Sequence, residues 1–132
     1  MEEDYLYVDT STLHDAGKGL FTKKFLKKGV VIGYFTGKII NEAQAGELST
    51  GERGRYFIEL TSGKILDTYN SKSPARWAND ARDKKVNNCK LYSTDDGAGA
   101  YLWSTKNISA GGEIFVDYGA QYWKQIDAEA KK

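Results

Sequence analysis

The residues best suited to chemistry lie near the end of the chain, in residues 112–119 (GEIFVDYG). Because side chains alternate along a strand, Ile114 and Val116 would face one way and Phe115 the other, so both faces can be buried. A strand covered on both faces holds the next residues rigidly, and a phenol that acts on a substrate needs rigid placement. Tyr118 is therefore the first candidate catalytic residue, although a plain turn is the alternative for this stretch alone.

Three further stretches have residue types that suit a binding site. In residues 17–21 (GKGLF), two glycines permit a turn open enough for a ligand to lie against main-chain groups. Residues 73–81 (SPARWANDA) predict a short helix that ends in polar residues, and residues 87–91 (NNCKL) predict a polar turn that enters a strand. Taken singly, each also fits an ordinary turn or cap, and Cys89 fits a small buried apolar residue.

The composition limits the classes of function. A chain of 132 residues suits one domain, residues 1–132, and 19 basic against 18 acidic residues argue against nucleic acid as the main ligand. One cysteine excludes an internal disulfide and a thiolate zinc cluster within one chain. The single His14 precedes Asp15 in a turn-like stretch that predicts a solvated surface residue, so no Ser-His-Asp, Cys-His or His-rich metal chemistry is expected. The amino terminus lacks a signal pattern and no apolar run approaches a membrane span, which predicts a soluble, intracellular protein without membrane contacts.

Short β-rich runs separated by turn signals predict a mainly β fold. The predicted strands cover residues 5–9, 19–22, 30–34, 38–40, 55–61, 64–67, 89–93, 100–104 and 113–116. Hairpin turns are expected at residues 61–64 and 95–97. Asn41 with Gln44 forms a predicted capping box for a helix that extends to about Leu48. Ser73 with Pro74 begins a second helix that reaches Ala78, and a third is expected after residue 119.

The order and spacing of these stretches resemble the SET domain of protein lysine methyltransferases, from about Tyr5 to Trp123. The family pattern has Arg-Phe-Ile-Asn-His-Ser, then Asn-Cys, then Gly-Glu-Glu-Leu with Asp-Tyr-Gly. The sequence departs from it with Trp77 in place of Phe and with Asp80-Ala81 in place of His-Ser, which leaves the side-chain contacts of that position in doubt. The matching positions are Arg76, Asn79, Asn88, Cys89, Gly112, Glu113, Asp117, Tyr118 and Gly119.

The resemblance implies a fold of small curved, β-clip-like sheets with short helices. In this fold the carboxy-terminal segment passes beneath the loop after Asn79 in a knot-like crossing. The zinc-binding cysteine segments that flank many relatives are missing from this sequence, which is similar to the minimal SET domains of viruses and microbes.

The activity that the resemblance implies is methyl transfer from S-adenosylmethionine to a lysine of a protein, either a histone tail or a similar peptide, without a metal. Tyr118 would orient the amine, with Tyr56 and Tyr122 as further walls of the lysine channel, and Tyr122 would restrain the product to monomethyl-lysine or dimethyl-lysine. Trp123 would stack on the adenine or, equally, anchor the last helix. The implied cofactor-binding residues are Gly17, Lys18, Gly19, Arg76, Trp77, Asn79, Asp80 and Trp123.

Two other functions stay open at this point. An inactive module could keep the fold and the peptide groove without turnover, and a small β-barrel interaction domain could match the pattern by chance. A peptide partner would add as an extended strand beside an exposed sheet edge. A histone substrate would imply a nuclear location, and the oligomeric state is not determined by the sequence.

Overall fold

The computed structural model describes residues 4–13, 16–48, 56–81 and 86–117. Within these ranges the chain is mainly β, with short strands, one α-helix and one 3-10 helix, as the sequence predicted. No helix in the described part of the chain is long and apolar enough to cross a membrane. In chain order, the elements are β1 (Leu6–Thr10), β2 (Lys18–Thr22), β3 (Val31–Phe35), β4 (Lys38–Ile40), α1 (Glu42–Leu48), β5 (Phe57–Glu59), β6 (Ile65–Asp67), the 3-10 helix Pro74–Trp77, β7 (Cys89–Ser93), β8 (Ala100–Ser104), β9 (Glu113–Ile114) and β10 (Val116–Asp117).

The strands form three small sheets, in the orders β1-β2-β9, β10-β7-β8-β3 and β4-β6-β5. Neighbouring strands are antiparallel except β10 and β7, which are parallel. Both predicted hairpin turns are present, since Gly63 joins β5 to β6 and Gly97 joins β7 to β8, each with a positive φ that glycine adopts without strain. The sheets are therefore made of local hairpins, connected by less local pairings.

One hydrophobic core is shared by all three sheets. Leu20 of β2, Ile32 of β3, Leu66 of β6, Leu102 of β8 and Ile114 of β9 are almost completely buried within it. Burying a side chain of this size stabilises the fold by about 1.5–3 kcal/mol. The three sheets are consequently held against one another by a common apolar centre.

The two described helices begin where the sequence predicted, and the third predicted helix, after residue 119, lies outside the described residues. Asn41 and Gln44 form a reciprocal capping box, in which each main-chain N–H donates to the other side chain at 2.8–3.0 Å. The Ser73 hydroxyl accepts from the N–H of Ala75 at 3.3 Å and caps the second helix, which is one turn of 3-10 helix. It ends because Ala78 is extended, with φ −65° and ψ 126°, and this turns the chain toward a bridge between Asn79 and Phe115.

The single strand predicted over residues 113–116 is wrong in one respect, because the segment forms two strands in two sheets. Ile114 pairs with Leu20 in the first sheet, whereas Val116 pairs with Cys89 in the second. Phe115 lies between them and bridges to Asn79. The predicted alternation of faces is confirmed, since Ile114 and Val116 enter the main core while Phe115 packs in a second cluster.

Candidate functional site

The two glycines around Lys18 are required for different physical reasons. Gly17 has a φ of 72°, and no atom lies within 4 Å of the position that a Cβ would occupy there. At Gly19, a Cβ would lie 2.4 Å from Oε2 of Glu113. Gly17 therefore provides the turn, and Gly19 provides the space for a buried carboxylate.

The carboxylate of Glu113 is buried and accepts several hydrogen bonds. The Ser11 hydroxyl donates to Oε2 at 2.6 Å, and the Thr12 N–H and hydroxyl donate to Oε1 at 2.7 and 2.6 Å. Charge-assisted hydrogen bonds of this length are strong, and they tie the loop after β1 to β9. The sequence marked Glu113 as a family match but gave it no role, because its partners lie about a hundred residues away.

Asn79 joins the glycine turn to the end of the described chain. Its Nδ2 donates to the main-chain carbonyl of Lys18 at 2.8 Å, although the two residues are 61 positions apart. Its own carbonyl accepts from the N–H of Val116 at 2.8 Å. Three stretches that are distant in the sequence therefore meet at one asparagine.

A second asparagine fixes the segment that leads to the carboxy terminus. Nδ2 of Asn88 donates to the carbonyl of Glu113, and Oδ1 of Asn88 accepts from the N–H of Phe115, both at 2.9 Å. The carbonyl of Phe115 in turn accepts from the main-chain N–H groups of Asn88 and Cys89. The change of sheet at Phe115 thus leaves no main-chain group of that residue without a hydrogen bond.

The departure at Asp80-Ala81 is accommodated by Asn87. Oδ1 of Asp80 accepts from Nδ2 of Asn87 at 3.0 Å, while the N–H of Ala81 donates to Oδ1 of Asn87 at 2.9 Å. Ala81 is buried with Phe115 and Leu13. The Asp80 side chain is therefore engaged within the loop, and the path of the main chain at this position is held by hydrogen bonds.

Cys89 is buried and its thiol points to the carbonyl of Phe115, with a sulfur to oxygen distance of 3.4 Å. Burial, and secondly the charge of Asp80, raise the pKa of the Cys89 thiol far above its usual value. A thiol that stays protonated is a poor nucleophile, so Cys89 acts in packing, as the sequence suggested.

The guanidinium group of Arg76 lies within a cluster of three aromatic residues, which are Tyr56, Tyr69 and Trp77. The central carbon of that group, Cζ of Arg76, lies 4.9 Å from the ring centroid of Tyr56 and 4.5 Å from that of Trp77. The Tyr56 and Tyr69 ring centroids are 5.6 Å apart. Trp77 also packs against the main core.

The structure brings the predicted site residues together in two groups. Lys18, which lies between Gly17 and Gly19, meets Asn79, and Asp80 follows Asn79. The rings of Tyr56 and Trp77 both contact Arg76. The 3-10 helix carries residues of the second group and leads directly into Asn79 of the first. Tyr118, Tyr122 and Trp123 lie outside the described residues, so their predicted roles stay predictions, as do the individual cofactor contacts.

Known proteins share part of this sequence. The chain is 28% identical over 108 residues to the histone-lysine N-methyltransferase CLF of Oryza sativa subsp. japonica, covering 78% of this chain and 12% of that protein. It is also 28% identical over 106 residues to the histone-lysine N-methyltransferase EZ1 of Zea mays, covering 78% of this chain and 11% of that one. The chain thus spans about an eighth of the length of these relatives. The SET domain pattern matches residues 17–119, from the glycine turn to the residue after Tyr118, and the chain belongs to the SET domain family.

Proposed function

We propose that this SET domain is an S-adenosylmethionine-dependent protein lysine N-methyltransferase. The observation that carries the proposal is the meeting of the glycine turn, Asn79 and the segment of residues 113–117. Tyr118 follows that segment immediately in the sequence. A methyltransferase needs its cofactor and its substrate amine aligned within a fraction of an ångström, and such alignment supplies several kcal/mol of the rate enhancement.

The residues around the glycine turn fit the amino acid end of S-adenosylmethionine. Oδ1 of Asn79 has no hydrogen-bond donor among the described residues, while Nδ2 is fixed on Lys18. An ammonium group could therefore donate to Oδ1 without displacing a hydrogen bond from the described residues. The open side of Gly17 leaves space beside the main chain, since no atom lies within 4 Å of its missing Cβ. This cofactor would be held by Gly17, Lys18, Gly19, Asn79 and the main chain of Asp80.

Each proposed catalytic side chain has a defined task. When bound, S-adenosylmethionine would supply a methyl group on a sulfonium centre that an amine can attack in line. Tyr118 would orient the lysine amine, whose pKa of about 10.4 in water must fall for the neutral form to be present. Tyr56 and Tyr122 would line the channel and exclude water, and desolvation favours the neutral amine. The Ala78 carbonyl would accept weak CH···O contacts from the methyl group.

The peptide substrate would add beside β5, which directly follows Tyr56. Among the described strands, β5 pairs with β6 alone and forms an edge of its sheet. An edge strand offers main-chain groups to an extended peptide and pockets to its alternate side chains. The names of the two relatives favour a histone tail as this peptide, and a histone substrate would place the enzyme with chromatin.

Two assays on the purified chain test the proposal. Calorimetry with S-adenosylmethionine should show binding, and labelled methyl groups should appear on lysine in a histone mixture. Binding without transfer to histones or to other lysine peptides would favour the inactive module, whereas absence of both would contradict the proposed function.

A further inference from the structure

The aromatic cluster around Arg76 points to a role for this arginine that the family resemblance does not provide. Its guanidinium carbon lies over the rings of both Tyr56 and Trp77, at 4.9 and 4.5 Å from their centroids. Nη1 donates to the main-chain carbonyl of Tyr69 at 2.7 Å. Arg76 thus contacts three aromatic residues, one of which is the proposed channel wall Tyr56.

Packing, and not a hydrogen bond to the described residues, holds the Nε atom of the Arg76 guanidinium group. Nε of Arg76 is buried and has no acceptor among the described residues. An unpaired buried donor is costly, and it persists where surrounding contacts determine the position of the side chain. Stacking on two rings provides such contacts, because a planar guanidinium packs on aromatic faces in a way that an ammonium does not.

The position of Tyr56 is set by contacts of its main chain and of its ring. Its main chain is fixed by Thr68, whose N–H and hydroxyl both donate to the Tyr56 carbonyl, at 2.9 and 2.7 Å. Its ring is bounded by Tyr69, at 5.6 Å between centroids, and by Arg76. Among the described contacts, Arg76 is therefore the link between the ring of Tyr56 and the 3-10 helix that leads to Asn79.

We propose that Arg76 is a positioning residue that holds the Tyr56 ring in the wall of the lysine channel. This inference rests on the proposed function, and it gives Arg76 a task on the substrate side, in contrast to the cofactor contact that the resemblance implies. Because Arg76 acts through a ring, its loss should change how well the amine is aligned and how many methyl groups the channel admits. Its loss should leave the affinity for the cofactor unchanged.

The variant Arg76→Met tests this assignment, with Arg76→Lys as the conservative variant that keeps the charge and loses the planar stack. We expect the KM for a lysine peptide to rise about three- to tenfold, in line with the loss of the cation–π contact with Tyr56. The ratio of higher methylated to monomethylated product should change as it does in Tyr56→Ala. In the Tyr56→Ala background, Arg76→Met should have no further effect on that ratio, since residues that act through one another are not additive.

A matched control is Lys24→Met, because Nζ of Lys24 lies 4.2 Å from the ring centroid of Tyr5, outside the site. This variant also loses a cation–π contact, and its KM and product ratio should equal those of the native protein. Should Arg76→Met fail to fold, as judged by thermal unfolding, the same measurements on Arg76→Lys decide. Weaker binding of S-adenosylmethionine with an unchanged product ratio would overturn the proposal and support the cofactor contact.

A second measurement keeps this inference separate from the proposed function. NMR signals of the Tyr56 ring, assigned by their absence in Tyr56→Phe, report the position of the ring whether or not the protein is active. In Arg76→Met they should shift and broaden, while Lys24→Met should leave them unchanged. Unaltered Tyr56 signals would show that Arg76 does not hold the ring, and an inactive native protein would contradict only the proposed methyl transfer.

Discussion

At the scale of single residues, Asn79 joins the glycine turn to the carboxy-terminal segment, through its side chain to Lys18 and through its carbonyl to Val116. In Asn79→Ala, the bond to the Lys18 carbonyl is lost together with Oδ1, which accepts no hydrogen bond from the described residues. We expect affinity for S-adenosylmethionine to fall by roughly 1–3 kcal/mol, the usual cost of losing a buried hydrogen-bond partner. Calorimetry measures this change, with the exposed Asn70→Ala as control. Equal affinities of Asn79→Ala and the native protein would remove Asn79 from the cofactor site.

The buried thiol of Cys89 gives a prediction about pH. In the folded protein the pKa of the Cys89 thiol is raised, so the thiol stays protonated. In the unfolded chain the same thiol ionises once the pH exceeds its usual pKa of about 8.5. This contribution to stability is fully present below that value and is lost as the pH rises above it. A thiol reagent at pH 8 should therefore react slowly with the native protein and rapidly in denaturant. Fast labelling of the folded chain would contradict the buried position of Cys89.

The number of methyl groups transferred should depend on Tyr122. A phenol at this place in the channel would hold a water or the amine, leaving less room for a methylated lysine to turn into line. If the proposed methyl transfer takes place, the native protein is therefore expected to stop at monomethyl-lysine or dimethyl-lysine, and Tyr122→Phe should raise the share of more highly methylated product. Mass spectrometry after exhaustive reaction measures both distributions. Identical distributions would mean that other walls, such as Tyr56, set the volume.

At the scale of elements, the pairing of β2 with β9 depends on Gly19, which the sequence predicted as part of an open turn without predicting the approach of Glu113. A Cβ at residue 19 would lie 2.4 Å from a Glu113 oxygen that is fixed by its own hydrogen bonds. We expect Gly19→Ala to destabilise the fold by about 1–3 kcal/mol, the usual range for overpacking. Urea unfolding measures the loss.

A matched control for this substitution lies in α1. No atom lies within 4 Å of the position that a Cβ would occupy at Gly46, and this residue is inside a helix, where alanine is favoured over glycine by about 1 kcal/mol. Gly46→Ala should therefore be neutral or stabilising. Equal effects of the two substitutions would show that the approach of Glu113 to Gly19 does not constrain the fold.

Local patterns predicted the elements well, because caps and turns depend on neighbouring residues. The strands over residues 38–40, 89–93 and 100–104 have the predicted bounds, and the Asn41 capping box is confirmed. The division of residues 113–117 between two sheets was missed, since its cause is pairing with Leu20 and Cys89, which are far away in the chain. Periodicity within a strand contains no information about which sheet each residue joins.

At the scale of the whole molecule, the resemblance predicted the fold class and the meeting of Asn79 with the glycine turn. It did not predict what Glu113 or Arg76 contacts, because those contacts join residues 102 and 20 positions apart through side chains. Asn88 shows the same limit, since its amide connects to Glu113 and Phe115 across the change of sheet. A family pattern thus locates such residues without giving the physical reason for them.

The common core explains why distant segments can form one site. Leu20 of β2 and Ile114 of β9 are both fully buried in the core against which Trp77 packs. Displacement of the first sheet, which contains β2, would move the glycine turn relative to Asn79. The site geometry and the stability of the core are consequently coupled, as is usual for a site built between small sheets.

The most direct test of methyl transfer is mass spectrometry of a lysine peptide after incubation with the purified chain and S-adenosylmethionine. The native protein should add methyl groups to the lysine amine, and Tyr118→Phe should reduce the rate roughly tenfold or more, because one oriented polar group at the reacting centre is lost. Cofactor binding and thermal unfolding of that variant should match those of the native protein. A native protein that binds S-adenosylmethionine but leaves every lysine unmodified, or a Tyr118→Phe variant with full activity, would contradict this account.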